Sequence, residues 1–376
     1  MTVQDQIEGT CASRFGPLKD VFRENFISRG DVGAAVSVTV EGETVVDLWG
    51  GTADADGAQP WQRDTIVCTQ SVSKGVTALG VHILISRGLV DIDAPVTRYW
   101  PEYGQNGKEN TTVRMLLAHL GGVPVVDGAT PGMGYDWKAM IEGLARTKAM
   151  WEPGTTPCYH SANYAFLIGE VLRRVSGMTV GEFIRKEIAG PLGVDFCMGL
   201  TPDEEARTAR FLDAEKHPSH EQVLEGANIF ARSWKIFWDD EDFNSPEWRH
   251  AQLPSVNGHT NARSLARICT MMALGGELDG HRFLGREALE QAGKMQWSQE
   301  DAQGRNMSMA LGFLLPNANR PATSPGAMCM GGAGGAAAFA DPDNRIGFAY
   351  TMNHMDPDPR MPRARALIEA LKGIVG

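Results

Sequence analysis

The chain has 376 residues, 43% of them hydrophobic and 22% charged, which fits an ordinary globular protein with two domains, or with one core and a large insertion. Its net charge of −11 argues against binding to nucleic acids or anionic membranes, which require a basic surface. No apolar run is long enough to span a bilayer, and the acidic start of the chain does not have the pattern of a secretory signal.

The six cysteines are scattered through the chain without paired spacing. This pattern predicts reduced, mostly buried thiols and a cytoplasmic location. The metal-binding patterns C-x-x-C and H-E-x-x-H are missing, as are the phosphate-binding Walker A motif and the G-x-S-x-G turn. We therefore expect neither a metal nor an organic cofactor. The sequence leaves the oligomeric state open, a homo-oligomer included.

The start of the chain predicts one helix and one hairpin. Apolar side chains recur at helical spacing within residues 12–29. Two alternating apolar segments, 33–40 and 44–50, flank a short turn that contains glycine, which is typical of a β-hairpin. The polar segment 51–64 contains Gly and Pro and predicts a loop.

A strand-like run, 65–68, then stops at a turn, and an apolar helix follows as far as Gly88, a residue suited to helix termination. Ser71 lies at or near the start of this helix, where serine is a favoured cap, and Lys74 lies three residues later. Residues three apart share one helix face, so an amine would stand beside a hydroxyl. Burial and the positive end of the helix would lower the lysine pKa, as a base for a serine nucleophile requires. The free N–H groups of the helix start could also hold an oxyanion.

The S-x-x-K pattern is short, and a chain of this length holds about one copy by chance. Ser71–Lys74 is the only copy, in a strand–turn–helix context that favours catalysis as strongly as a solvated helix cap. His119, at the end of a predicted helix over 112–119, is more consistent with a structural histidine than with catalysis. Tyr159 could relay protons if a nearby ammonium lowered its pKa, although a hydrogen-bonded core tyrosine is the commoner case.

The central part of the chain predicts further helices, at 136–147 and from Ala165 onward. The stretch 230–248 is rich in aromatic side chains, Trp238 among them. Such a segment could line a pocket for an apolar substrate, or equally form a packing cluster between helices. Residues 307–315 predict a strand.

The last third of the chain is marked by glycine. Segment 328–336 contains four glycines, which permit a ligand to approach backbone N–H groups closely. Their spacing is not that of a nucleotide-binding loop, and a hairpin rather than a helix follows. That hairpin is predicted over 337–340 and 347–352, and a closing helix over 360–374.

Strands at both ends of the chain and helices between them predict an α+β fold. In this α/β sandwich, an antiparallel sheet flanked by helices is built from both chain ends. We expect a discontinuous sheet domain, 1–65 plus 300–376, and an inserted, mostly helical domain, 66–299. The active site is expected at the interface of the two domains.

Several separate blocks of the sequence, in order along nearly the whole chain, resemble the penicillin-recognising serine hydrolases with a β-lactamase-like fold. More narrowly, the chain resembles the family VIII carboxylesterases, which are related to class C β-lactamases. The blocks that carry the resemblance are Val46-Asp-Leu-Trp-Gly-Gly51, Ser71-Val-Ser-Lys-Gly75, Val113-Arg-Met-Leu-Leu-Ala-His119, Trp151-Glu-Pro-Gly154, Tyr159-His160, Ala189-Gly-Pro-Leu-Gly193, Asn257-Gly-His259 and Ala340-Asp-Pro342.

The resemblance implies a serine carboxylesterase that hydrolyses small or short-chain esters through an acyl-enzyme. It implies Ser71 as the nucleophile, Lys74 as the acceptor of its proton and Tyr159 as the proton shuttle. The backbone N–H groups of Ser71 and Ala333 would form the oxyanion hole. Alternative functions on the same fold are β-lactam or amide hydrolysis, acyl transfer, and a binding protein that traps an acyl group without turnover.

One motif departs from the family pattern. Where β-lactamases have a lysine, and many relatives a histidine, this chain has the triplet Met330-Gly331-Gly332. The cation that grips a β-lactam carboxylate is missing there, which favours a neutral ester, because a carboxylate without a partner loses solvation. We expect this triplet, His160 and Trp238 to contact the substrate. The segments expected to shape the pocket are 123–135 and 230–250.

Overall fold

The computed structural model of the protein describes residues 7–213, 228–237, 242–356 and 358–376. The strands are β1 Glu8–Cys11, β2 Gly33–Val40, β3 Glu43–Gly51, β4 Val67–Cys68, β5 Phe196–Cys197, β6 His259–Thr260, β7 Glu277–Leu278, β8 His281–Arg282, β9 Trp297–Glu300, β10 Asn306–Met309, β11 Met328–Gly331, β12 Ala337–Asp341 and β13 Ile346–Met352. The helices are α1 Gly16–Ser28, α2 Val72–Ser86, α3 Val113–Leu117, α4 Trp137–Arg146, α5 Tyr164–Ser176, α6 Val180–Ile184, α7 Gly190–Leu192, α8 Pro202–Glu205, α9 Ile229–Trp234, α10 Pro246–His250, α11 Ala262–Ala273, α12 Arg286–Ala292 and α13 Pro362–Val375. A π-helical turn, Arg185–Ala189, joins α6 to α7.

The main sheet has six antiparallel strands in the order β1-β3-β2-β13-β12-β11. Its centre is the pairing of β2 with β13, which runs from Val40 opposite Ile346 to Ala34 opposite Met352. Three strands from the start of the chain therefore form one half of the sheet, and three strands from its end form the other half. This confirms the predicted α+β fold and both predicted hairpins, β2–β3 and β12–β13.

Helices cover both faces of this sheet. Gly347 in β13 faces α11, where a Cβ would lie only 2.5 Å from the Ala266 carbonyl oxygen and from Thr270 Oγ1. Tyr350, three residues later, faces the opposite side, since strand side chains alternate. Its hydroxyl donates to Asp31 Oδ1 at 2.6 Å, and Arg363 in α13 donates to the same oxygen at 3.3 Å. Helices α1 and α13 pack together on that face.

Two details differ from the sequence-based expectation. The strand expected over 307–315 ends at Met309, and a tight turn follows in which Ala310 N–H donates to Phe313 O at 2.8 Å. Gly312, with a φ of +92°, approaches Ala78 of α2 so closely that a Cβ there would overlap it. Helix α11 lies within the predicted helical domain yet packs on the sheet. The division into domains 1–65 plus 300–376 and 66–299 stays a prediction.

None of the helices in the described ranges combines the length and the apolar character needed to cross a membrane.

The contact between the sheet and α11 gives a stability prediction. Gly347→Ala places a methyl group against the α11 backbone, so we expect it to lower the free energy of unfolding by about 1–3 kcal/mol. The matched control is Gly373→Ala in α13, because nothing lies within 4 Å of a Cβ at that position. There, alanine should raise the stability by about 0.5–1 kcal/mol through helix propensity. Urea unfolding midpoints measure both, and equal midpoints for the two variants would contradict the close approach.

Candidate active site

The turn before α2 is held by hydrogen bonds to Gly258, the residue directly before β6. Thr69 N–H donates to Gly258 O at 2.9 Å. Ser73 links both sides of the turn, since its hydroxyl donates to Gln70 O at 2.6 Å and accepts from Gly258 N–H at 2.8 Å. Gln70 has a left-handed backbone, with a φ of +49°, which turns the chain directly before Ser71. These contacts fix Ser71 at the N-cap position, directly before the first residue of α2.

Lys74 is brought to Ser71 by one turn of α2. Its Nζ donates to Ser71 Oγ at 2.9 Å and to Ser255 O at 2.8 Å. It also lies 5.3 Å from the centroid of the Tyr159 ring. Lys74 is only 3% exposed. Burial, and secondarily the charge of Arg305, hold its pKa well below the usual value for lysine, which favours the neutral amine.

Tyr159 is positioned through its backbone by the turn between β9 and β10. Its N–H donates to Asp301 Oδ2 at 3.0 Å, and its carbonyl oxygen accepts from Gln303 Nε2 at 2.9 Å. The Arg305 guanidinium lies 5.1 Å from the ring centroid. Burial raises the pKa of the Tyr159 phenol and outweighs the opposing effects of the Ser71 hydroxyl and of nearby arginines. The phenol is therefore protonated, whereas the sequence-based hypothesis required a lowered pKa.

His119 lies on the other side of Tyr159. Its ring stacks between Tyr159, with centroids 4.7 Å apart, and Tyr164, with centroids 4.0 Å apart. Its Nδ1 accepts from His160 N–H at 3.0 Å, which assigns the ring proton to Nε2. Burial lowers the pKa of His119 well below its usual value, with the nearby His160 as the second cause. The neutral ring thus braces Tyr159, which fits the structural interpretation of this histidine.

The glycine-rich segment after β11 approaches the turn that carries Ser71. A Cβ at Gly332 would overlap the Thr69 carbonyl oxygen, so only glycine fits without displacement. Gly332 N–H donates to Ala336 O at 2.8 Å, which shapes the turn. Within the described ranges, neither Ser71 N–H nor Ala333 N–H donates to a backbone carbonyl. Both groups are available to an incoming oxygen atom.

Ser71 and Tyr159 open into a cleft of about 520 Å³. The segment after β11 forms one wall, the β9–β10 hairpin a second, and α9 a third. The residues that line the cleft are Ser71, Tyr159, Ser161, Phe230, Trp234, Gly304, Arg305, Asn306, Met307, Leu314, Asn319, Arg320, Gly331, Gly332, Ala333, Gly334, Met355, Asp356, Asp358, Pro359 and Met361.

Comparison with known proteins gives a consistent assignment. A family model described as Beta-lactamase matches residues 18–372. The chain belongs to the beta-lactamase family. The Esterase/beta-lactamase LipL of Mycobacterium tuberculosis is 31% identical over 362 residues, which cover 93% of this chain and 83% of that protein.

Two solved structures extend this likeness to the whole fold. A penicillin-binding protein homologue from Caulobacter crescentus has a TM-score of 0.90 and 33% identity, covering 98% of this chain and 99% of the other. A family VIII carboxylesterase has a TM-score of 0.86 and 33% identity, covering 98% of this chain and 100% of the other. The resemblance found in the sequence motifs is confirmed.

The third motif of this beta-lactamase family member has an apolar first residue. Met330 packs against α2, where a Cβ at Gly75 would overlap its side chain. Met330 lines a small cavity of about 10 Å³ beside Lys74. It is not among the residues that line the larger cleft. Gly331 and Gly332 do line the cleft. The motif thus presents backbone to the cleft and apolar surface to Lys74.

The structure does not place His160 where the sequence suggested. His160 is buried, and its Nδ1 lies 2.6 Å from Cys158 O. It does not line the cleft, because its neighbour Ser161 takes that place. Trp238 lies outside the described residues. Phe230 and Trp234 of the aromatic-rich stretch do line the cleft, so part of that stretch shapes it as expected.

Sequence reasoning missed two arginines of the cleft, Arg305 and Arg320. Neither stands in a motif, and both reach the site through long-range contacts that no spacing signals. The segment 123–135 was expected to shape the pocket, but none of its residues lines the cleft. Its valines, among them Val123 and Val126, are instead buried in the core.

The support of the Ser71 turn by Ser73 is testable. Ser73→Ala removes the bond to Gln70 O and leaves the buried Gly258 N–H without its acceptor, so we expect a loss of about 1–3 kcal/mol in unfolding free energy. Ser28→Ala is the control, because this exposed hydroxyl donates only to Glu24 O, in its own helix. Denaturant unfolding of both variants gives the comparison. A wild-type midpoint for Ser73→Ala would contradict the assigned support.

Proposed function

We propose that this protein is a serine carboxylesterase that hydrolyses small or short-chain esters through an acyl-enzyme. The observation that carries the proposal is the 2.9 Å contact between Lys74 Nζ and Ser71 Oγ, at the floor of the cleft. A lysine with a lowered pKa beside a serine is an activated nucleophile with its base. The names of the similar proteins, an esterase/beta-lactamase and a family VIII carboxylesterase, agree with this chemistry.

Acylation begins when Ser71 Oγ attacks the ester carbonyl carbon and its proton passes to the neutral amine of Lys74. The carbonyl oxygen becomes an oxyanion, which the N–H groups of Ser71 and Ala333 stabilise. The carbon–oxygen bond of the ester then breaks, and Tyr159 donates its phenolic proton to the departing alkoxide. The Lys74 ammonium returns a proton to Tyr159, so both groups recover their starting states.

Deacylation runs the same path with water in place of serine. Lys74 and Tyr159 together take a proton from the water molecule as its oxygen attacks the acyl carbon. The tetrahedral intermediate collapses, the bond to Ser71 Oγ breaks, and a proton returns to that oxygen. The carboxylic acid leaves, and no metal or organic cofactor enters the proposed cycle.

The alternative functions differ from ester hydrolysis in the substrate that acylates Ser71 or in the fate of the acyl-enzyme. Met330 occupies the position of the cation that β-lactamases use for a substrate carboxylate, so β-lactam hydrolysis is the weaker reading of the site. Acyl transfer would require an acceptor other than water. A protein that only traps an acyl group would keep Ser71 acylated, whereas the neutral Lys74 and the protonated Tyr159 are arranged for release as well.

Hydrolysis of 4-nitrophenyl butyrate tests the proposal. Ser71→Ala, Lys74→Ala and Tyr159→Phe should each lower kcat/KM by about 100-fold or more, because each removes one member of the proton path. The effects should not add, so a double Ser71→Ala/Lys74→Ala variant should be no slower than Ser71→Ala. The matched control is Tyr99→Phe, which removes a phenol that accepts from Asp91 N–H, outside the cleft. A Lys74→Ala variant with the wild-type rate would overturn the assignment of the base.

The pH profile of kcat/KM tests the state of Lys74. The base must be neutral, so activity is present above the Lys74 pKa and is lost as the pH falls through it. Since the charge of Arg305 helps to lower that pKa, Arg305→Gln should raise it and move the acidic limb to higher pH, by up to about one unit. Arg305→Lys keeps the charge and should leave the limb near its original place. An unmoved limb in Arg305→Gln would contradict the electrostatic link.

A further inference from the structure

The charged groups around the cleft are paired, with one exception. Arg305 donates to Asp301 Oδ2 at 2.9 Å. Asp358 is bound by Arg360 at 2.6 Å. The second acid of the cleft is Asp356, whose Oδ2 lies 3.7 Å from Nε of Arg363 in α13. These pairs leave little net charge facing the substrate.

The exception is Arg320, which lies in the loop before β11. Two contacts hold this part of the loop, since Arg320 N–H donates to Asn317 O at 3.0 Å and Arg365 Nη2 donates to Ala318 O at 2.9 Å. The guanidinium itself makes no hydrogen bond and no ion pair with any residue that the structure describes. Its Nε is buried without a partner. Loop contacts thus fix an uncompensated positive charge in the cleft wall.

The position of this charge relates it to the reaction. A terminal nitrogen of Arg320 lies 3.9 Å from the place that a Cβ of Gly331 would take. Arg320 also acts on the phenol of Tyr159, whose pKa its charge helps to lower against the effect of burial. The guanidinium therefore lies beside Gly331 of the third motif, whereas the Met330 side chain packs against α2. Arg320 enters the cleft from the loop before β11, whereas the cation of the family's third motif would stand in β11 itself, at the position of Met330.

A partly buried guanidinium without an anion is costly, and a ligand that supplies one relieves that cost. The planar, forked donors of arginine match a carboxylate, which can accept two parallel hydrogen bonds. Burial lowers the pKa of Arg320, but an arginine starts so far above neutral pH that the side chain keeps its charge near neutrality.

We infer that the cleft selects esters that carry a carboxylate, bound by Arg320, over neutral esters of the same size. The inference rests on the proposed esterase function and narrows its substrate class. The carboxylate can belong to the acyl part, as in a half-ester of a dicarboxylic acid, or to the alcohol part, as in an acylated hydroxy acid. Both place the same anion in the cleft, and the two arms of the experiment separate them.

The experiment compares matched pairs of esters by kcat/KM. The acyl-side pair is mono-4-nitrophenyl adipate and its methyl ester, and the alcohol-side pair is 4-butyryloxybenzoate and its methyl ester. For the wild type we expect the anionic member of at least one pair to exceed its neutral partner by about tenfold or more. Arg320→Gln should abolish that ratio, and Arg320→Lys, which keeps the charge without the fork, should restore it in part.

Arg23→Gln is the matched control, because this arginine lies in α1, is paired with Asp20 and does not line the cleft, and it should keep the wild-type ratio. Inhibition of neutral-ester hydrolysis by adipate provides a second measurement, in which the inhibition constant should rise with Arg320→Gln. Turnover of the neutral esters without an anionic preference in either pair would overturn the inference alone. No turnover of any ester would overturn the proposed function and the inference with it. A ratio that falls equally in Arg320→Gln and Arg23→Gln would assign the preference to general surface charge and reject the role of Arg320.

Discussion

The contact between the Lys74 amine and the Ser71 hydroxyl is the constraint on which the rest of the site depends. An amine can accept a proton from serine only while it is neutral, and burial supplies that condition. Burial in turn requires that the amine be satisfied, which Ser71 Oγ and Ser255 O accomplish at 2.9 and 2.8 Å. The close packing of α2 against the segment before β6 therefore serves the proposed chemistry as well as the core.

The neighbours of this pair are held neutral in the same way. Burial raises the pKa of Tyr159 and lowers that of His119, so a protonated phenol and an uncharged imidazole stack beside the neutral amine. In the proposed cycle, the proton that leaves Ser71 therefore meets a neutral amine, and the departing alkoxide meets a protonated phenol. The charge of Arg305 also lowers the pKa of Lys74, and the pairing of Arg305 with the buried Asp301 limits this effect.

The sequence predicted what is local and missed what is long-range. The hairpins, the start of α2 and the Ser71–Lys74 spacing follow from alternation, turn residues and helical period, each contained within a few residues. The early end of the strand at Met309 depends on the packing of Gly312 against α2, which no local pattern reveals. His160 follows Tyr159 in the chain but points into the core, since direction after a turn is set by tertiary packing. Arg305 and Arg320 belong to loops whose positions only the folded chain defines.

The apolar Met330 of the third motif and the nearby Arg320 are consistent with one electrostatic arrangement. A cation in place of Met330 would stand in the small space beside Lys74 and would disfavour the ammonium that forms when serine gives up its proton. An apolar side chain there removes this repulsion. Arg305 lowers the pKa of both Lys74 and Tyr159, whereas Arg320 acts on Tyr159 alone of the two. In the proposed cycle, the unpaired positive charge of the cleft therefore acts on the proton donor and not on the base. In the proposed cycle, a guanidinium near the phenol makes Tyr159 a better acid toward the leaving alkoxide.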